Sequence, residues 1–519
     1  MPIGGLILFV FGVYRQIVFM VLKIKYGSKF GGLLKGSDAF HMTSESSDHV
    51  INSLLMFKCA KDFTANMLYQ NMREVVQNMQ QRTKFNSRFQ TSFGYTYMLK
   101  DELRVDDCIK EMRIIGSRQI KLSKPEFLEL LNEYCNLELP QDNTVPWEIL
   151  VGQQPIYWED DEFTYLPLLF RNQHAIADGI TLLQVMVSVL SDKEENNDNS
   201  ATRSEPSPFK KNIIIEHIRC AIKAALVSLY VLLLIPAACV TNFLLKGKDS
   251  NILCGPTLGK IRHFVLDFEF SSNYVSVIKE IKWRIPGTSF PDVVLTAFSA
   301  SLNDYFVRKN ARNEYISAAV PVLLGSSEIY KLDPKNVNIQ DLEIDNKHSF
   351  LILNFPLHIK QKRTNIEEIF TRLGVIRKQT TILKKSYDYQ VMMLLFNKLI
   401  CTCLPRQLVR RLLKSTRCTA IVSVLPGPPK LRCWKGMASV SNVIAFTPNA
   451  YNIGTSFTFN TYDERVHIGM SVDTSLIDME DVEEIAKSVL AHIRSLDDYL
   501  TALERCNILD EVLETYPFL

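Results

Sequence analysis

The sequence predicts an α/β protein with mixed sheets flanked by helices, and three observations support this fold class. Short β-rich runs alternate with amphipathic helical runs, as in residues 164–171 followed by 180–190. Residues 455–462 and 466–472 are typical of a hairpin, so antiparallel strands are expected. The 519 residues are 47% hydrophobic and 22% charged, which is enough apolar material for two or three packed units.

Charge and cysteine content exclude several classes of protein. The 59 Lys and Arg nearly balance the 56 Asp and Glu, so the net charge of +3 gives no cationic footprint for nucleic acid. The 11 cysteines are odd in number and scattered without a C-x-x-C pair, which predicts reduced thiols. No Asn begins an N-x-Ser/Thr sequon. Both features favour a protein that faces the cytosol.

Residues 1–30 are predicted to be a hydrophobic membrane anchor. Residues 3–22 are apolar except for Arg15 and Gln16, and lysines follow them. A signal peptide carries its charge before the apolar stretch, so this segment is expected to be retained. It either spans the membrane, with Arg15 meeting a partner, or lies in the interface. The lysines on its C-terminal side predict that the remaining chain is cytoplasmic.

A second unusual region lies in the middle of the chain. Residues 191–212 are polar, charged and contain proline, which predicts a disordered linker. Residues 213–248 are predicted to be a membrane hairpin or interfacial segment, because residues 224–245 include no charge. Pro236 lies inside this apolar tract, where a bend is expected.

The sequence lacks the motifs of several familiar functional sites. The glycines of residues 31–36 have P-loop spacing, but Ser37 stands where the lysine is required. No H-E-x-x-H, G-x-S-x-G or dinucleotide fingerprint is present. The nine histidines are mostly isolated and none shows metal-ligand spacing, so no metal is expected.

The candidate chemistry lies at residues 166–179, where a hydrophobic strand ends and delivers His174. A neutral imidazole can take a proton from an attacking hydroxyl and return it afterwards. Asp178 can cap the following helix or pair with an arginine and so hold the turn, and Gly179 lets the backbone turn closely. The alternative is a half-buried histidine at a strand end, followed by an ordinary turn.

This segment resembles the HHxxxDG motif of the wax ester synthase/diacylglycerol acyltransferase (WS/DGAT) family, an O-acyltransferase group of the HxxxD superfamily. Further landmarks of the family are matched in the same order, from about residue 36 to residue 485. They are residues 36–40 (GSDAF), 146–148 (PWE), 290–295 (FPDVVL), 320–322, 345–357, 422–428 (VSVLPGP) and 451–454 (YNIG).

The resemblance implies two chloramphenicol-acetyltransferase-like domains, at residues 36–190 and 255–519, with a tunnel between them. It assigns His174 as the general base and Asp178 as its catalytic partner. The residues expected to support the motif are Gln173, Gly179 and Asp292. The residues expected to line the tunnel are Asn172, Ser423 and Gly427. No metal and no cofactor are implied beyond acyl-CoA, which is a substrate.

The implied reaction transfers a fatty acyl group from acyl-CoA to a long-chain alcohol or diacylglycerol, forming wax esters or triacylglycerol. The implied location is a membrane, the endoplasmic reticulum, with the domains in the cytosol and in contact with membrane lipids. Because both domains enclose one site, residues 213–248 should enter and leave on the same face of the membrane.

Three positions depart from the family pattern. Gln173 replaces the first His of the motif, Pro291 replaces an Asn and Val424 replaces another Asn. One base is enough for the chemistry, so the first change is tolerable. The other two remove amides, which leaves open a different acceptor, such as a sterol or a small amine or alcohol. They also leave open a membrane-anchored lipid-binding or transfer protein that has lost catalysis.

Overall fold

The structure is a computed structural model. It describes residues 2–43, 49–100, 103–118, 120–139, 145–192, 222, 229–230, 233–237, 247–255, 258–259, 261–266, 274–322, 332, 337–359, 365–413 and 418–515. The predicted linker at residues 191–212 lies outside the described residues after Asp192. So does most of the predicted membrane segment at residues 213–248, of which residues 229–230 and 233–237 are described as helical.

The strands of the described residues follow the predicted alternation. They are β1 (Phe30–Leu33), β2 (Val50–Cys59), β3 (Ser87–Ser92), β4 (Tyr95–Lys100), β5 (Ile109–Glu111), β6 (Trp147–Val151), β7 (Thr164–Gln173), β8 (Arg262–Leu266), β9 (Tyr315–Val322), β10 (Ser349–Pro356), β11 (Ala420–Leu425), β12 (Arg432–Cys433), β13 (Ala438–Phe446), β14 (Thr455–Tyr462) and β15 (Arg465–Asp473). The predicted hairpin is present as β14 and β15, which pair antiparallel.

The helices flank these strands. They are α1 (Pro2–Tyr26), α2 (Gly36–His41), α3 (Ala65–Gln80), α4 (Val105–Cys108), α5 (Lys124–Asn136), α6 (Gly179–Leu190), α7 (Tyr274–Arg284), α8 (Phe290–Arg308), α9 (Asn365–Lys385), α10 (Asp388–Met392), α11 (Cys401–Cys403), α12 (Arg406–Leu413), α13 (Met479–Arg505) and α14 (Leu509–Thr515), with a 3-10 turn at Gly27–Lys29 and a π-helix at Met393–Ile400.

Two mixed six-stranded sheets form the body of the molecule. The first has the strand order β12-β13-β2-β7-β6-β5, and the second has the order β10-β9-β11-β14-β15-β8. A smaller sheet, β1-β4-β3, lies beside them. Helices α8 and α13 bury Phe298 and Ile493 in the core of the second sheet. The predicted α/β class with two domains is therefore confirmed.

The second half of the chain completes the first sheet. Strand β13 pairs antiparallel with β2, with Val443 opposite Leu55 and Phe446 opposite Asn52. The predicted domain of residues 255–519 therefore does not describe this segment, which crosses to the sheet of the N-terminal half. The crossing has a physical reason, because β2 is buried along nearly its whole length and without β13 it would be an exposed sheet edge.

Helix α1 packs on the folded body along one side. The Arg15 guanidinium donates to the Leu34 carbonyl at 3.2 Å, and Val18 and Leu22 are buried. The other side is apolar and open, and Phe9 is 70% exposed there. By length and composition alone, the segment Gly4–Lys29 is long and apolar enough to cross a membrane.

Candidate active site

His174 stands directly after β7, at the end of the strand that precedes α6. Its backbone N–H donates to the His49 carbonyl at 2.8 Å, which fixes the turn. Its ring nitrogen Nδ1 lies 3.0 Å from Oδ1 of Asn346, a residue 172 positions later in the chain. The imidazole is 9% exposed. The strand end therefore presents His174 to the second half of the protein.

The hydrogen bonds of Asn346 decide which nitrogen of His174 carries the proton. The amide nitrogen of Asn346 donates to Asp38 and to the His174 carbonyl, both at 2.7 Å. Since both partners are acceptors, the orientation of the amide is fixed and its oxygen must accept from Nδ1–H. The lone pair of His174 is therefore on Nε2, where a general base needs it.

Asp178 acts on the backbone around His174 and not on its ring. It caps α6, because its Oδ1 accepts from the Thr181 N–H at 2.9 Å, and its Oδ2 accepts from the Lys347 N–H at 2.8 Å. Burial alone would raise the pKa of Asp178, but the His348 ring and the two backbone N–H groups together lower this pKa to about 2. Asp178 thus joins the segment after His174 to the segment that carries Asn346.

A buried lysine strengthens the same junction. The Lys84 ammonium lies 2.5 Å from Asp38 and 2.9 Å from Asp345, and it donates to the Ile176 carbonyl at 3.1 Å. Burial raises the pKa of Asp38 to about 7, against the opposing charge of Lys84. Residues 38, 176 and 345 come from three distant parts of the chain, so this ion cluster fixes the position of Asn346 relative to His174.

Four histidines meet at the site, although their sequence spacing predicts no cluster. The His41 ring stacks on the His174 ring at 3.7 Å between centroids, and His348 lies 5.2 Å away from His174. Nδ1 of His49 is 3.1 Å from Nδ1 of His41. Burial, and then the proximity of His348, lower the pKa of His174 to about 3. The ring is therefore neutral at physiological pH.

A cavity of about 120 Å³ lies between the two sheets at these rings. The first sheet contributes Ile51 and Val443, and the second contributes Ile421 and Ser423. His174 borders this space, so it is not walled off by packed side chains.

A second cavity, of about 620 Å³, adjoins the first. Both cavities are lined by Pro321 and by residues 424–426. The second is lined mainly by apolar side chains, among them Pro291 and Val424, the two positions where the family pattern has an amide. The two departures therefore make this chamber more apolar and leave the histidine cluster unchanged.

Three predicted residues line the first cavity besides His174: Asp178, Gly179 and Ser423. Gly179 lies against Leu425, and a Cβ there would stand 3.1 Å from that side chain. Of the three residues predicted to line the tunnel, Ser423 lines this cavity.

The other predicted residues have structural surroundings. Gln173 continues the β7 ladder opposite Val50, and its N–H donates to the Pro146 carbonyl. Asn172 donates to the Gln173 carbonyl and is fully buried. Neither residue is among those that line the two cavities.

Asp292 and Gly427 also lie outside the lining of both cavities. Asp292 completes a capping box with Ser289 at the start of α8 and accepts from Thr380 at 2.6 Å. Gly427 packs on β14, since a Cβ there would stand 1.5 Å from the Thr461 carbonyl oxygen.

Sequence reasoning did not assign a role to Asn346, His41, His49 or His348. A usable signal existed for two of them, because His41 directly follows the GSDAF landmark and His348 follows Asn346 by two residues. No local signal connects these segments to residue 174, since only the folded sheets bring them together.

Residues 344–495 match the WS/DGAT C-terminal domain family. The wax ester synthase/diacylglycerol acyltransferase of Marinobacter aquaeolei VT8 shares the fold with 15% identity and a TM-score of 0.57, over 90% of this chain and 98% of that one. No curated protein sequence matches this chain significantly.

Two further solved structures share the fold. The trichothecene 15-O-acetyltransferase of Fusarium sporotrichioides matches with 9% identity and a TM-score of 0.56, over 90% of this chain and 94% of that one. The starter condensation domain of rhizomide synthetase, solved with C8-CoA, matches with 10% identity and a TM-score of 0.51, over 91% and 94%.

The fold and the family match define this protein as an acyltransferase with the two-domain condensation-type architecture. Within that class, the match over residues 344–495 and the shared fold support the wax ester synthase/diacylglycerol acyltransferase family. The resemblance predicted from the sequence motifs is thereby confirmed.

Proposed function

We propose that this protein transfers a fatty acyl group from acyl-CoA to a long-chain alcohol or diacylglycerol, with His174 as the general base. The observation that carries the proposal is the orientation of His174. Asn346 holds its Nδ1–H, and its ring borders a cavity between the two sheets. The products are a wax ester or triacylglycerol and free CoA.

The chemical step follows from this geometry. Nε2 of His174 takes the proton of the acceptor hydroxyl while the oxygen attacks the thioester carbon. The carbon–sulfur bond then breaks, and the same proton passes from Nε2 to the CoA sulfur. Ser423 is our candidate to donate a hydrogen bond to the oxyanion, because its side chain is on the cavity wall.

The large apolar chamber is suited to the acyl chain of the donor. Its volume of about 620 Å³ is of the size that ligand sites have, and it adjoins the cavity of His174. Lys384 also borders it and is suited to the anionic groups of CoA, whereas Lys279 at the same border is paired with Glu464. We therefore propose that acyl-CoA binds from this side.

The acceptor is proposed to arrive from a membrane on the other side. Helix α1 packs through Phe11 on the cluster around Phe396, and Ile235 packs on Leu395. Phe396 and Leu395 both belong to the π-helix Met393–Ile400, so the two apolar regions are neighbours. Phe396 also contacts Phe40, which lines the cavity of His174. A lipid could thus pass between apolar side chains from the bilayer to the base.

The packing of α1 favours a helix that lies in the membrane interface over one that spans the bilayer. The helix contacts the folded body at positions from Phe11 to Leu22. If the helix spanned the bilayer, most of its contact with the folded body would be lost or would lie in the hydrocarbon core. Arg15 has its partner within the protein, at the Leu34 carbonyl.

The flanks of residues 213–248 are consistent with same-side attachment. Asp192 accepts from the N–H groups of Lys435 and Gly436, both at 2.9 Å, at the first sheet. Asp249 accepts from the Ser317 N–H at 2.7 Å, at the second sheet. We propose that this segment enters and leaves on the cytosolic face of the endoplasmic reticulum, where acyl-CoA is available.

Acidic residues on the open side of α1 should weaken membrane binding and leave residues 213–248 as the remaining membrane contact. In the variant Phe9→Asp/Ile17→Asp, each change removes a large apolar side chain worth about 1.5–3 kcal/mol of burial. We expect binding to phosphatidylcholine/phosphatidylserine vesicles to weaken at least about 100-fold in a flotation assay. The matched control is Trp283→Asp/Val307→Asp, which places the same charges on exposed apolar residues of α7 and α8. Equal weakening by both variants would contradict an interfacial α1.

A single assay tests the proposed reaction. Purified full-length protein in lipid nanodiscs is incubated with labelled acyl-CoA and, separately, with a long-chain alcohol, diacylglycerol, a sterol or a small amine. We expect ester and free CoA in equal amounts with the alcohol or diacylglycerol. If product formed only with the sterol or the amine, the proposed acceptor would be wrong. Bound lipid without free CoA would indicate a lipid carrier and not an enzyme.

A further inference from the structure

Three imidazoles around His174 have ring nitrogens that the proposed reaction does not use. Nε2 of His41, His49 and His348 is buried and has no hydrogen-bond partner among the described residues. A buried polar atom without a partner costs about 1–3 kcal/mol. All three rings also line the cavity that reaches His174. The three rings therefore border one shared space, as the side chains of a ligand site do.

The fold brings three of these rings within reach of one small ion. His41, His174 and His348 each offer a ring nitrogen within 4.8 Å of those of the other two. Zn–N bonds of about 2.0–2.1 Å in a tetrahedral site place the nitrogens about 3.4 Å apart. From separations of up to 4.8 Å, the nitrogens would have to approach by up to about 1.4 Å, with His41 tilting out of its stack on His174. Side-chain rotation alone can supply that movement.

The surroundings of the three rings match those of metal-binding histidines. Such ligands usually have the second ring nitrogen held by a carboxylate, a carbonyl or another acceptor. Nδ1 of His174 donates to Asn346, and Nδ1 of His41 faces Nδ1 of His49 at 3.1 Å. Nδ1 of His348 lies 3.9 Å from the Asp178 carboxylate, which also supplies a nearby negative charge. Nδ1 thus makes the outer contact of each ring, and Nε2 is the nitrogen proposed to bind the ion.

We propose that His41, His174 and His348 bind a divalent zinc ion, and that the bound ion switches off acyl transfer. Imidazole ligands favour zinc, copper and nickel over magnesium or calcium, and zinc accepts a three-histidine site. The ion would occupy the Nε2 lone pair of His174, so this nitrogen could not take a proton. The inhibitory part of the proposal rests on the proposed function, whereas the binding part does not.

Metal binding is measured first, without substrates. Full-length protein in nanodiscs is stripped with EDTA and titrated with ZnCl2 by calorimetry, and with CoCl2 by visible absorption. We expect one ion per chain, with cobalt bands typical of nitrogen ligands. His41→Gln and His348→Gln should each weaken zinc binding at least about 10-fold, the loss caused even by removing an outer contact.

Matched variants separate this site from surface binding. His358→Gln and Cys506→Ser change an exposed histidine and an exposed cysteine, and zinc binding should be unchanged in both. His348→Cys should keep cobalt and add a sulfur-to-cobalt charge-transfer band, which a purely structural role for residue 348 would not produce. Absence of binding, or binding that both His→Gln variants retain, would overturn the site.

Inhibition is measured next on the same preparation. ZnCl2 should stop acyl transfer by the wild type at one ion per chain, and EDTA should restore it. Transfer that continues with the ion bound would refute the switch and leave the site standing. A preparation that binds zinc but never transfers acyl groups would instead contradict the proposed function.

Discussion

The variant His174→Gln is expected to lose acyl transfer almost completely, by about 10²- to 10⁴-fold in kcat, the range attributed to a positioned general base. A glutamine amide can still donate to Oδ1 of Asn346 at this position, so the ion cluster around Lys84 should stay intact. It cannot take a proton at neutral pH. The rate of ester formation with saturating acyl-CoA and acceptor is the measurement.

Two controls make this result specific. His358→Gln makes the same substitution at an exposed position and should keep the wild-type rate. Thermal unfolding and acyl-CoA binding of His174→Gln should stay close to those of the wild type, because glutamine has a similar volume and can keep the hydrogen bond to Asn346. Turnover within a few fold of the wild-type rate would show that another group is the base.

A methyl group at Gly427 is expected to produce the largest loss of stability. In Gly427→Ala the added Cβ would stand 1.5 Å from the Thr461 carbonyl oxygen and 2.6 Å from its carbon. The backbone after β11 must therefore move away from β14, which breaks the hydrogen bond from the Gly427 N–H to the Thr461 hydroxyl. We expect a loss of about 3 kcal/mol or more, the upper range for overpacking. Urea unfolding in detergent measures it.

The matched control for this prediction is Gly247→Ala. A Cβ at Gly247 meets nothing within 4 Å, so this variant should unfold at the wild-type urea concentration. Equal stability of the two variants would mean that the segment after β11 accommodates a side chain. Residue 427 would then return to the role that the family resemblance implied for it, as part of the tunnel wall.

Local patterns were sufficient for the elements of the fold and for one half of the site. The hydrophobic run that stops at Arg171 predicted β7, and the uncharged run after Gly179 predicted α6. Motif order then predicted the two-domain architecture. These features depend on residues close in sequence, where periodicity and turn chemistry are decisive.

The other half of the site depends on contacts that no local pattern encodes. Asn346 meets His174 across 172 positions, and Thr380 donates to Asp292 across 88 positions. The histidine cluster follows the same rule, since His41 and His348 are isolated in sequence and adjacent only in space. Arguments from sequence spacing assume that the ligands of a metal site lie on one structural element. Here His41, His174 and His348 lie on separate segments of the chain.

The crossing of β13 into the first sheet has a consequence for biosynthesis. When about the first 400 residues have been synthesised, the strand that pairs with β2 is still missing. Ala438 pairs with Cys59, and Phe446 pairs with Asn52. The nascent N-terminal half must therefore wait with an open apolar edge, the kind of surface that chaperones protect. Neither half is a separable module, so a gene split between them would yield fragments that complete their fold only by finding each other.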